Sequence, residues 1–202
     1  MGLTDGTAAL KDGEKFTLNQ WRAWPEGERW ELIGGVPYNM SPAPRVPHQS
    51  VSVDLIHQIC HFLEDSTCVA LNAPIDVFLP DGVDDSAETV VQPDILVVCD
   101  RDKIDEDGIH GAPDFVAEVL SPATAYKDLN DKRMLYERSG VREYWIISPD
   151  TGSVFRYILE NGRYGPATEI LRGDPVASSA LPGFSWKAPK FDYGTRKKAA
   201  EA

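Results

Sequence analysis

Positive charge is scarce in this 202-residue chain: 20 Lys and Arg stand against 32 Asp and Glu, for a formal net charge of -12. Nucleic-acid-coating surfaces draw most of their affinity from Lys and Arg on phosphates, so a surface that grips DNA or RNA everywhere is excluded. Any such contact has to be local. Cysteine is sparse as well. Cys60, Cys68 and Cys99 are odd in number and form no C-x-x-C pair. That fits neither a disulfide framework nor a four-cysteine zinc site, and a reducing cytoplasm is the expected location. Long apolar runs are missing: no stretch approaches the roughly 18 apolar residues that span a bilayer, and Met1 to Phe16 has no apolar signal-peptide core. A protein that is neither secreted nor membrane-embedded is expected. Met1-Gly2 opens like a myristoylation signal, but Gly6 stands where Ser or Thr is required. There is no G-x-S-x-G turn, and Cys60 and Cys99 fall within apolar stretches typical of inert core cysteines, which sets serine and cysteine hydrolases aside.

What is present is an ordinary globular composition, 42% hydrophobic and 26% charged, enough for one domain with a real core. Residues 1–16 read as a flexible segment, 17–186 as a single domain, and 187–202 as a basic tail carrying Lys187, Lys190, Arg196, Lys197 and Lys198. Thr17 to Trp24 is a short helix capped by Thr17, and Arg29 to Met40 is a hairpin turning on Gly34-Gly35. From His48 to Glu64, Val51, Leu55, Ile56, Ile59, Cys60 and Leu63 recur at three- and four-residue spacing, the pattern of a long core-covering helix. Cys68 to Leu79 reads as one strand interrupted by Pro74. Pro80-Asp81-Gly82 is turn chemistry, and the acidic stretch to Glu88 is solvated. Strands follow at Asp94–Cys99 and Asp114–Leu120, divided by a charged loop whose acids match no calcium-loop spacing. A helix over about Ala125–Ser139 with Gly140 at its C-terminal cap, strands at Val141–Ser148 and Val154–Leu159, and a further strand near Glu169–Leu171 complete the pattern. This order gives an α/β domain with a central mixed sheet flanked by helices.

Two of those strands carry an acid. Pro93 fixes the entry into Ile95-Leu96-Val97-Val98 and holds Asp94 at its start, while Glu118 interrupts the apolar run Phe115 to Leu120 near its end. If the strands are antiparallel neighbours, start and end lie side by side. Two buried carboxylates that close need a cation, and magnesium suits them because it takes one or two carboxylates, several waters and substrate phosphate oxygens. The following helix supplies a lysine: at 100° per residue, Leu129, Lys132, Leu135 and Tyr136 share one face. Lys132 either reaches the carboxylates, to orient an attacking water and offset phosphate charge, or pairs with Asp128 four residues earlier.

The residues Glu31-Leu32-Ile33-Gly34-Gly35, Met40-Ser41-Pro42 with His48-Gln49, Gln92-Pro93-Asp94, Gly111-Ala112-Pro113-Asp114 with Glu118-Val119-Leu120-Ser121-Pro122, then Asp128, Lys132, Tyr136 and Gly140-Val141-Arg142-Glu143-Tyr144-Trp145 closely resemble the Uma-type restriction endonuclease family. That family is placed in the restriction-endonuclease-like PD-(D/E)XK superfamily, and the resemblance runs over about residues 17 to 172. It implies a restriction-endonuclease-like core, a mixed central sheet flanked by helices, with an added N-terminal helix and hairpin. It also implies one or two magnesium ions, for which manganese can substitute. By position Asp94 is the first acid and Glu118 the second, with the Val119 carbonyl completing the metal shell. Leu120 stands where the superfamily has lysine, and Lys132 takes that place from the following helix. Glu31 matches the early glutamate, an outer metal ligand; without the resemblance it is a charge in a short strand whose default is solvent exposure. Gln92 is a hydrogen-bond donor to a metal water or phosphate, or a plain strand-edge amide. His48 opens the long helix, where it meets an anion or sits at the surface. Tyr136 is core with its hydroxyl turned to the site, and Trp145 is packing.

The expectation is a magnesium-dependent endodeoxyribonuclease that leaves a 5′-phosphate, binds DNA locally at the metal site and forms a homodimer. The rival reading is a non-catalytic nucleic-acid- or protein-binding module that retains the fold. A carboxylate-pair glycosidase is disfavoured by the inward Lys132 and the lack of a sugar-stacking aromatic run.

Overall fold

The structure is a computed structural model that describes residues 14–25, 29–40, 43–80, 88–121 and 127–188. Elements run α1 (Leu18–Arg22), β1 (Trp30–Ile33), β2 (Val36–Asn39), α2 (Val46–Phe62), β3 (Val69–Asn72), β4 (Val77–Pro80), β5 (Glu88–Val91), β6 (Ile95–Val98), β7 (Ile109–His110) and β8 (Phe115–Val119). A π-helical turn at Asp128–Lys132 then runs into α3 (Arg133–Ser139). Strands β9 (Glu143–Ile147), β10 (Val154–Glu160), β11 (Arg163–Tyr164), β12 (Thr168–Ile170), β13 (Pro175–Ala177) and β14 (Ser185–Lys187) complete the chain.

The main sheet has strand order β11-β10-β9-β8-β6-β3, with β12 beside β10. It is mixed, because β8 and β9 pair in parallel while β3/β6, β6/β8 and β9/β10 pair antiparallel. Since the connection from β8 to β9 links parallel strands, it has to cross over a face of the sheet, and the π turn and α3 make that crossing. Successive side chains of a strand point to opposite faces. Ile95, Val97, Phe115, Ala117, Val119, Trp145 and Ile147 pack with Val51, Leu55 and Ile59 of α2 on one face. Leu96, Val98, Val116, Tyr144 and Ile146 meet Leu135 and Tyr136 of α3 on the other.

A second sheet, β2-β1-β5-β4-β7, stands beside that second face. Its hairpin turns on Gly34 (φ 59°) and Gly35 (φ 78°), the two positive φ values that a tight two-residue turn requires and that glycine adopts without strain. The chain passes between the sheets five times, and two of these crossings, from β3 to β4 through Pro74 and from β5 to β6 through Gln92-Pro93, meet where Ala73 N–H donates to the Asp94 carbonyl at 3.0 Å.

Several expectations change here. The segment Cys68–Leu79 is two strands in different sheets, because Pro74 sits where the chain changes sheet. The charged loop after Cys99 holds a 3₁₀ turn at Arg101–Lys103 and the edge strand β7. Strand β5 was not anticipated, nor was the β13/β14 hairpin, whose Val176 and Trp186 join the core on the α2 face. Cys68 and Cys99 form a disulfide: Val69 faces Val98 across β3/β6, so the two cysteines just beyond are cross-strand partners that an odd total does not reveal. Cys60, read as core, is exposed on α2. The expectations for residues 1–13, 26–28, 41–42, 81–87, 122–126 and 189–202, the start of the helix expected from about Ala125 included, lie outside the described residues.

One buried carboxylate ties the late hairpin down. Glu143, fully buried, accepts from Trp145 Nε1, Ser178 Oγ, Ser179 N and Ala180 N, each at 2.7 Å. Removing it leaves those donors unpaired, a cost of roughly 1–3 kcal/mol for a buried group. Glu143→Ala is therefore expected to lower the unfolding free energy by at least about 3 kcal/mol in a urea titration, with Glu143→Gln costing less. Thiol titration of the unfolded, unreduced protein is expected to find one reactive thiol, Cys60, and three after reduction.

Candidate active site

Strands β6 and β8 are antiparallel with Ile95 opposite Ala117, which sets Asp94 against Glu118. Alternation then points both side chains to the α3 face, since Leu96 and Val98 share the parity of Asp94, and Val116 that of Glu118. The contacts agree. Val119 N–H donates to Asp94 Oδ2 at 2.8 Å, and Asp94 N–H approaches Glu118 Oε2 at 3.4 Å. His48, in the first turn of α2 and only 9% exposed, holds Asp94 Oδ2 through Nε2 at 3.1 Å. It is an inward residue, not a surface histidine.

Lys132 reaches the acids. Its Nζ lies 2.7 Å from Glu118 Oε1, 2.8 Å from Glu31 Oε1 and 3.9 Å from Asp128 Oδ1, so the in-helix partner is the most distant of the three. Tyr136 donates its hydroxyl to Glu118 Oε1 at 2.9 Å. Glu31, whose default reading was exposure, is fully buried, and Lys127 bonds its second oxygen at 2.5 Å. Gln92 is already engaged: its N–H donates to Glu31 Oε1 (2.8 Å), its Nε2 to Asp76 Oδ1 (2.8 Å), and its Oε1 accepts from Arg29 Nη2 (2.7 Å).

The helix departs from the expected 100° register, and the reason is local. Residues 128–132 form a π turn with i→i+5 bonding, which shifts the face presented by the preceding residues. Leu129, placed on the buried stripe by regular spacing, is 37% exposed, while Lys127 and Asp128 turn inward at 8% and 2%. Five residues on a regular α-helix are about 140° apart, but on a π turn they return to nearly the same side. Lys127 and Lys132 can thus bind the two oxygens of one carboxylate. Lys127 went unrecognised because its burial depends on that turn.

Four carboxyl groups, Glu31, Asp94, Glu118 and Asp128, thus face two ammoniums in a confined space, two more acids than bases. Burial pushes Glu118 up to about 8; Lys132 opposes this, and Asp128, Asp94 and Glu31 add to it. Glu31 moves the other way, because Lys132 and Lys127 overcome its burial. For Lys132, burial works against the charge, yet Glu118, Glu31 and Asp128 raise it well above its usual range. Burial and the surrounding acids hold Tyr136 as a neutral phenol. Asp76 is raised by partial burial.

The donors fit a hard divalent cation. All are oxygens, and Asp94, Glu118 and Asp128 line a cleft of about 430 Å³ that Arg29, Arg45, Gln92, Val119, Lys127 and Pro149 also bound. Among the described residues no three His, Cys, Asp or Glu side chains are grouped to hold a metal. Magnesium is a cation that needs few protein ligands, because it keeps several waters and takes phosphate oxygens beside one or two carboxylates.

A sequence profile of the Uma2 family, described as "Putative restriction endonuclease", matches residues 17–189. No functionally curated protein matches the chain. Among solved structures, one from Anabaena variabilis ATCC 29413, described as "a putative nuclease belonging to DUF820", superimposes with a TM-score of 0.66 at 20% identity, over 82% of this chain and 90% of that one. At that identity the likeness establishes the fold, and the restriction-endonuclease-like class agrees with it.

The raised Glu118 has a measurable consequence. Its folded-state value near 8 lies above the ordinary 4.5, so between those pH values the folded protein binds more protons than the unfolded chain and loses stability as pH rises. Measured without added metal, wild type is expected to lose stability relative to Glu118→Gln from about pH 5 to 8, by at most about 1.4 kcal/mol per pH unit. A constant difference across that window would refute the raised value.

Proposed function

The chain belongs to the Uma2 family, and from that membership together with the site we propose that it is a metal-dependent endonuclease that hydrolyses phosphodiester bonds in DNA. The observation that carries the reading is the pairing of Asp94 and Glu118 on adjacent strand ends with Lys132 bound to Glu118 at 2.7 Å. Asp94, Glu118 and the Val119 carbonyl would hold magnesium, with manganese as a substitute. Bound there, the ion would supply a water of lowered pKa and offset phosphate charge, so no covalent enzyme intermediate would be required.

The polypeptide's own contribution is to prearrange oxygens and protons. His48 and the Val119 N–H fix one oxygen of Asp94, leaving the carboxylate aimed into the cleft. Lys132 and Tyr136 both grip Glu118 Oε1, which directs Oε2 toward Asp94. Lys132 Nζ also faces Asp128 Oδ1 at 3.9 Å, which keeps its ammonium centred among the three acids. Gln92 acts through Glu31, which it steadies by its N–H. A two-fold homodimer would set two such clefts to cut both strands.

The test begins with titration calorimetry of magnesium and manganese into wild type and the Asp94→Ala/Glu118→Ala double variant, where binding is expected only in the first. Cleavage of plasmid DNA by Asp94→Ala is expected to fall by about 10²–10³-fold, matching the several kcal/mol that a bound metal supplies, with the circular dichroism spectrum unchanged. Undiminished cleavage by purified Asp94→Ala would sink the assignment. A folded wild type that binds neither metal nor DNA and cuts nothing would favour the non-catalytic module.

A further inference from the structure

We propose that Lys127 is the residue whose ammonium contacts a phosphate of the bound strand, with Glu31 as the buried anchor that aims it and Lys132 confined to organising Glu118. The inference rests on the nuclease reading above and assigns within it a phosphate-binding residue that the motif does not contain.

The two lysines differ in what their ammoniums have left to give. An ammonium has three donors. Those of Lys132 are surrounded by Glu118, Glu31 and Asp128, and although it too lies along the cleft its side chain is only 2% exposed, so its donors are taken up by the acids. Among the described residues Lys127 makes a single hydrogen bond, to Glu31 Oε2, and its side chain is 10% exposed where it lines the cleft. Its second support consumes no donor: Nζ lies 5.6 Å from the centre of the Tyr38 ring, a cation–π contact. Glu31 and Tyr38 are directly opposite on β1 and β2, so one face of the hairpin presents a carboxylate and a ring side by side, and Lys127 rests on both.

A phosphate needs such a group. The interior of the site is dominated by carboxylates, which repel a phosphodiester, and the chain as a whole is strongly acidic. The remaining arginines of the cleft wall are less constrained or differently employed. Arg29 directs Nε and Nη2 to Gln92 Oε1, and Arg45 is exposed ahead of α2. Lys127 alone among the cleft cations shares a carboxylate with Lys132 and still has donors free, which places a positive charge beside the reacting centre. The π turn is what allows it, since a regular helix would swing Lys127 away from Glu31 when Lys132 is bound there.

The test measures binding of a fluorescein-labelled DNA duplex, and of its single strand, by anisotropy in calcium, a metal that supports binding without turnover. Wild type, Lys127→Gln, Lys127→Arg and Lys132→Gln are compared over a salt series, with manganese titrations alongside. Lys127→Gln is expected to weaken DNA binding about tenfold and to lower the slope of log affinity against log salt by about one, leaving manganese affinity unchanged. Lys127→Arg should restore the slope, a rescue that a purely structural role would not give. Lys132→Gln should shift manganese affinity and keep the slope. Lys127→Met, which retains the stem, replaces the glutamine variant if that one fails to fold. A Lys127→Gln protein with wild-type affinity and slope overturns the assignment while leaving the nuclease reading standing. A wild type that binds and cuts no DNA overturns both.

Discussion

Everything at this site depends on the carboxylate of Glu31, which receives Lys132 on one oxygen and Lys127 on the other. It comes from the second sheet, whereas the lysines come from the crossover between two parallel strands of the first. The bond therefore clamps three layers of the molecule together at the point where the acids converge. Lys132 passes the constraint on to Glu118, and Gln92 passes it outward to Asp76 and Arg29. Burying one half of this arrangement without the other would leave an uncompensated charge, a loss of about 3–5 kcal/mol.

The rest follows from strand geometry. The antiparallel register that pairs Ile95 with Ala117 makes Asp94 and Glu118 neighbours, and side-chain parity sends both to the face over which α3 crosses. A slip of one residue would put Asp94 among Val51, Leu55 and Ile59 of the opposite core, where no cation could meet it. Pro93 helps forbid that slip, since it lacks the N–H that a longer β6 would use and it ends the passage from one sheet to the other.

How much of this could be read beforehand varies with the range of the interaction. The two acids, the lysine, the hairpin glycines and α2 were legible because each leaves a local mark: a charge in an apolar run, a pair of glycines, a three-and-four spacing. Asp94 and Glu118 needed only the assumption of antiparallel neighbours. What could not be read depends on partners distant in sequence. Glu31 looks like an exposed charge until two lysines about a hundred residues later come to it, and the β13/β14 hairpin is tied to the core by its apolar packing and by donors that Glu143 collects. The pairing of Cys68 with Cys99 is a matter of register between two strands. Lys127 was lost for a different reason: the 100° rule presumes a regular helix, and residues 128–132 are not one.

That irregularity has an energetic logic. A π turn weakens local helical bonding and is rarely kept without a use, and here it brings two ammoniums to one carboxylate in a place where burial penalises every charge. A core of hydrophobic side chains of the same volume would be as stable or more so, so the fold itself does not explain the network. Its charge balance does suggest what the network is for. The acids outnumber the ammoniums by two, Glu118 is driven toward its neutral form, and one divalent cation would remove both conditions at once. On the proposed reading a bound metal would be the state of lowest internal repulsion, and Glu31 is the residue that holds the surrounding charges in place for it.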